Sequence, residues 1–146
     1  MLFKFIENGN VQSNYPNKPV SSILAPLRAR SSNKFGNYVA YYSGRSIYMF
    51  EKDTQGFSTC YGACALVWPP IIVSTRNIIA PSGLKQSLLG TTRRTNGSYQ
   101  VTYGGYPLYF YHLDNAAGQF KGQGLNSFGD EWWVVSTSTG NPIKIR

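Results

Sequence analysis

The chain has 146 residues, 42% hydrophobic and 14% charged, which excludes a disordered tail and suits one folded domain with its own core. Fourteen Lys and Arg against six Asp and Glu leave a formal charge of +8, and no apolar run approaches the roughly 20 residues of a membrane-spanning helix. Two Cys and one His fall short of the four ligands of a structural zinc site, so no metal and no cofactor are expected.

In chain order, the apolar stretch near Met1 is shorter than a signal-peptide core. Either the chain is made without export by that route or a leader has been removed. Residues 1–25 read as an irregular basic arm, with a turn at Asn8-Gly9-Asn10 and extended chain at Tyr15-Pro16-Asn17-Lys18-Pro19. Residues 26–146 read as a single domain of two units, about 27–80 and 86–146.

The first unit opens with a strand pair, residues 27–31 and 37–42, around Ser32-Asn33-Lys34-Phe35-Gly36. Ser43-Gly44 turns into a third strand over residues 46–50. Its alternation sends Tyr48 and Phe50 to one face and Ile47 and Met49 to the other. Asp53-Thr54-Gln55-Gly56 has the residues of a type I turn. Ser58 or Thr59 is expected to cap a short helix over residues 60–67, stopped by Pro69-Pro70, before a strand at Ile71-Ile72-Val73.

The second unit retraces this course. Residues 88–94 and 98–103 flank Asn96-Gly97, a strong hairpin signal, and Gly104-Gly105 turns into a strand over residues 106–112. A glycine-rich loop leads to the closing strand, Trp132-Trp133-Val134-Val135-Ser136. Tyr48 and Asp53 recur 61 residues later as Tyr109 and Asp114, and Trp68 recurs as Trp132 after a slightly longer loop. Each unit is too small to bury an apolar face alone. The expected fold is all-β with minor α: two pseudo-symmetric antiparallel units of about four strands each, packed through aromatic faces as one domain.

Ile47-Tyr48-Met49-Phe50 to Asp53, Ser58-Thr59-Cys60-Tyr61-Gly62-Ala63-Cys64-Ala65 and Trp68-Pro69-Pro70 resemble a tandem-repeat family of secreted bacterial lipoproteins with a Tyr-X4-Asp motif. So do Ser87-Leu88-Leu89-Gly90-Thr91, Pro107-Leu108-Tyr109, Gly122-Gln123-Gly124-Leu125-Asn126, Gly129 and Trp132. The likeness covers residues 44–146 and implies an extracellular or envelope location, commonly lipid-anchored. The family is largely uncharacterised. This chain departs from it in lacking a leader and an anchoring Cys, and in the basic segment before residue 44. Abundant Asn, Lys, Tyr and Ile suit an AT-rich genome, which adds a virus particle as a second location.

The chemistry-bearing residues leave several readings open. Cys60 and Cys64 could form a disulfide, remain buried thiols or exchange redox equivalents. His112, the sole histidine, falls at an exposed strand position, so no catalytic set is assigned. Asp53 and Asp114 read as turn-closing carboxylates that accept backbone hydrogens and meet a Tyr hydroxyl. Tyr48, Tyr109, Trp68 and Trp132 read as shared core. Arg28, Arg30, Lys34, Arg93 and Arg94 are the candidates for binding nucleic acid or an acidic glycan. The expected function is a non-enzymatic structural or interaction module with a protein partner or with itself. Polyanion binding and thiol redox chemistry through Cys60 and Cys64 are the alternatives.

Overall fold

The computed structural model describes residues 21–146, so most of the arm expected over residues 1–25 lies outside the described residues. The elements are β1 (Ile23–Leu24), β2 (Leu27–Ser32), β3 (Gly36–Tyr41), β4 (Met49–Phe50), α1 (Ala63–Val67), β5 (Ile72–Val73), β6 (Ile78–Ile79), β7 (Leu89–Arg93), β8 (Tyr99–Tyr103), β9 (Tyr106–Pro107), β10 (Asn126–Ser127) and β11 (Asp130–Trp133). The protein is all-β with one short helix. Its ladders are antiparallel except β1–β6, which is parallel.

The expected hairpins form. β2 pairs with β3 from Leu27↔Tyr41 to Ser32↔Gly36, and β7 pairs with β8 from Leu89↔Tyr103 to Arg93↔Tyr99. Gly36 and Gly97 take positive φ at the two turns, a conformation that suits glycine because it has no Cβ.

The two units are interleaved and not stacked as separate sheets. β4 of the first unit pairs with β11 of the second, in the register Phe50↔Trp132 and Met49↔Trp133. In exchange, the strand around Tyr109 pairs with the segment before β5. Phe110 N–H donates to Pro69 O, Ile71 N–H to Leu108 O and His112 N–H to Val67 O. At the centre Tyr48 and Tyr109 face each other, each N–H donating to the other's carbonyl at 2.8 and 2.9 Å. A pseudo-two-fold axis passes between them. Strands of two residues joined by single-residue bridges leave the described residues in four small sheets.

The central strands are buried on both faces, as their unbroken run of apolar residues requires. One core holds Ile47, Met49, Leu108, Trp133 and Val135. The other holds Tyr48, Phe50, Trp68, Tyr109, Trp132 and Val134. The alternation of Tyr48 and Phe50 against Ile47 and Met49 therefore sorts side chains between two cores, where a half-exposed strand would sort them between core and water.

The helix is shorter than expected and is capped differently. It begins at Ala63 behind Gly62 at the N-cap, whose φ is 58, with no side-chain cap. Ser58 and Thr59 are unavailable as caps because their hydroxyls are held elsewhere: Ser58 lies 2.6 Å from the Tyr109 hydroxyl, and Thr59 donates to Asp53 at 2.7 Å. The helix still ends at Val67, ahead of Pro69-Pro70.

Candidate functional site

The repeated Tyr and Asp meet across the pseudo-axis, not within one motif. Tyr48 donates its hydroxyl to Asp114 Oδ2 at 2.5 Å, and Tyr109 donates to Asp53 Oδ2 at 2.6 Å. Each aspartate follows its strand by the same turn, with Asp53 N–H donating to Phe50 O and Asp114 N–H to Tyr111 O. The second carboxylate oxygen takes loop donors: Thr59 N–H and hydroxyl on Asp53 Oδ1, and Lys121 N–H on Asp114 Oδ1. Both aspartates are 1% exposed. Burial pushes the Tyr48 and Tyr109 phenols well above their ordinary range, and the adjacent carboxylates push the same way. Burial also raises the Asp53 carboxyl, while hydrogen bonds from Tyr109 and Thr59 and the charge of Arg94 pull it back.

A four-ring stack joins these pairs. Trp68 and Trp132 lie parallel at 3.8 Å; Phe50 stacks on Trp132 at 3.9 Å and Tyr111 leans on Trp68 at 4.4 Å. Tyr48 and Tyr109 meet Trp68 and Trp132 edge-on, at 5.5 and 5.1 Å. Gly122 donates its N–H to the Tyr48 hydroxyl, and a Cβ there would lie 2.8 Å from the Trp68 ring. Ser58 serves Tyr109 in the same way in the other half. These two small residues are invisible as partners in sequence, because the loops carrying them differ in length.

Cys60 and Cys64 form a disulfide with a Cα separation of 5.2 Å, and both residues are buried. The bridge spans the turn into α1.

The five basic candidates do not share one surface role. Arg94, which adjoins Arg93 in sequence, is 7% exposed. Its guanidinium donates to Ser58 Oγ, Gln100 Oε1 and Cys60 O at 2.8–3.0 Å and lies over the Tyr61 ring. It is a cross-link between β8 and the disulfide turn, and this burial removes it from any polyanion surface. Adjacent residues of extended chain point to opposite sides, and Arg93, the last residue of β7, stays exposed, over Tyr99. Arg28 and Arg30 line a groove of about 410 Å³ with Ala29, Ser31 and Asn37. Lys34 is exposed at the hairpin tip, over Phe35.

His112 is exposed, with its ring edge-on to Tyr111. No side-chain hydrogen bond links it to a described residue. Among the described residues no group of three His, Cys, Asp or Glu is placed to hold a metal ion, and no helix is long and apolar enough to cross a membrane.

A family model described as a secreted repeat of unknown function matches residues 31–72 and again residues 90–136. The two matches fall on the two halves related by the pseudo-axis. No curated protein and no solved structure matches the chain.

Proposed function

The chain belongs to the family of secreted repeats of unknown function, and from that premise we propose a non-enzymatic structural or interaction module displayed on a cell envelope or a virus particle surface. One observation carries this reading. The groups the repeat duplicates, Tyr48, Asp53, Tyr109 and Asp114, are spent on one another inside the core, each at 0–1% exposure. A substrate has no route to them, whereas a scaffold needs them there. The chemistry left at the surface is that of contacts: exposed aromatics and arginines such as Tyr42, Phe57, Phe128, Arg28 and Arg93.

The test is association. Purified protein is expected to self-associate in sedimentation, or to hold a defined surface partner, and His112→Ala is expected to leave that unchanged. A hydrolytic or transfer activity that disappears in His112→Ala would overturn it.

A second reading, polyanion binding, draws on the acid-poor hairpin that carries Arg28, Arg30 and Lys34. Its signature is affinity for heparin or DNA that falls steeply with salt.

A further inference from the structure

Strand β2 has a single strand partner, β3, among the described residues. On β3, Val39 N–H donates to Val135 O, Tyr41 N–H donates to Arg45 O, and Asn37 O accepts from Thr137 N–H. Residues 37, 39 and 41 thus turn their peptide groups away from β2. Peptide groups alternate between the two edges of an antiparallel strand, so Arg28 and Arg30 bond to β3 while Ala29 and Ser31 present theirs outward. No described residue takes them.

The groove of about 410 Å³ is lined by Arg28, Ala29, Arg30 and Ser31 of β2 together with Asn37 of β3. Arg28 and Arg30, two residues apart, project to the same face; Arg28 is exposed, while the Arg30 guanidinium lies against Gly44 in the turn that follows β3. Neither has a carboxylate partner among the described residues. The ion pairs that are described, Lys144–Glu51 and Arg146–Glu131, sit by the β4–β11 ladder, and Asp53 and Asp114 are buried. Charge on an edge strand commonly guards against stray pairing. A purely cationic edge guards against neutral and basic strands but matches an acidic one.

We infer that the outer edge of β2 takes an extended acidic segment of another protein as an added strand. Its peptide groups pair with those of Ala29 and Ser31, and carboxylates on every second residue line the face that carries Arg28, the exposed arginine of the pair. A second copy of this chain does not fit. Its acids fall two apart only at Glu51 and Asp53, and Asp53 is buried. A nucleic acid or sulfated glycan could use the arginines but has no peptide groups for the edge. The inference rests on the interaction-module reading and specifies one partner class for it.

The test uses the full chain with four probes in fluorescence anisotropy: a peptide alternating Glu with Val, its Lys counterpart, heparin and single-stranded DNA. The Glu peptide is expected to bind and the Lys peptide not to, with slowed amide exchange at Ala29 and Ser31 in the complex. Ser31→Pro removes one outward N–H while sparing the β2–β3 ladder, and is expected to weaken Glu-peptide binding about tenfold. Arg28→Glu with Arg30→Glu is expected to abolish it, which keeps the test decisive should the proline variant fold poorly. Heparin or DNA binding as tightly as the Glu peptide, with Ser31→Pro indifferent, would overturn the added strand in favour of polyanion binding. No Glu-peptide binding would also overturn it, while the sedimentation and partner assays judge the module reading separately.

Discussion

Tyr48 and Tyr109 each donate into a carboxylate that burial has cut off from water, so each hydroxyl is the partner its aspartate cannot replace. Tyr48→Phe or Tyr109→Phe leaves one carboxylate oxygen short of a donor and is expected to cost about 1–3 kcal/mol, read by urea denaturation at neutral pH. Both phenols have folded pKa values raised above the unfolded 10.0, first through burial and then through the neighbouring aspartate. Their contribution is fully present below pH 10.0 and is lost as pH rises above it. Above that value each tyrosine should lower stability by about 1.4 kcal/mol per pH unit, and either Phe variant should remove its share of the slope. Asp53 follows the same sign on the acid side. Its folded pKa is raised above 3.8, so its contribution is present below that value and declines as pH rises through the folded pKa. Asp53→Asn is expected to flatten that decline in stability profiles taken upward from about pH 4.

At the scale of elements, the units differ most where α1 in the first stands opposite the β10–β11 hairpin in the second. The Cys60–Cys64 bridge holds the turn into α1, and Cys60 O accepts from buried Arg94. Closing so short a loop is worth about 2 kcal/mol in the chain-entropy account. The double variant Cys60→Ala, Cys64→Ala should lose about that much. Because both cysteines are buried, thiol labelling after reductant should appear in denaturant and not in the folded protein. Opposite, Phe128 has φ 58 and Gly129 φ 99, as in a type I′ turn between Ser127 and Asp130. A phenylalanine there carries about 1–2 kcal/mol of backbone strain. Phe128→Asn should therefore raise thermal stability by roughly 1 kcal/mol. A fall would mean that the ring, 42% exposed, contributes more by packing than it costs in strain.

Across the whole molecule, exchanged strands and crossed Tyr–Asp pairs make each half the completion of the other. Unfolding should be a single transition, with tryptophan fluorescence, reporting Trp68, Trp132 and Trp133, and far-UV circular dichroism superimposing. Separated transitions would show that one repeat stands alone. Much of this architecture is legible in the chain itself: the strand alternation at residues 46–50, the glycine turns, the helix stop at Pro69-Pro70 and the recurrence of Tyr48 and Asp53 at Tyr109 and Asp114. Those features are local, governed by sterics and side-chain period over a few residues. Pairing across the axis is not local. Tyr48 and Asp53 belong to one motif, yet Asp53 lies beyond the turn that ends its strand, so its hydroxyl partner comes from the antiparallel mate. The same limit applies to Arg94, indistinguishable from Arg93 by charge until folding brings Ser58, Gln100 and the Cys60 carbonyl around it. Strands, turns and duplication follow from residues close together in the chain. Which copy of each group answers the other, and which arginines face water, depends on segments dozens of residues apart meeting in a core.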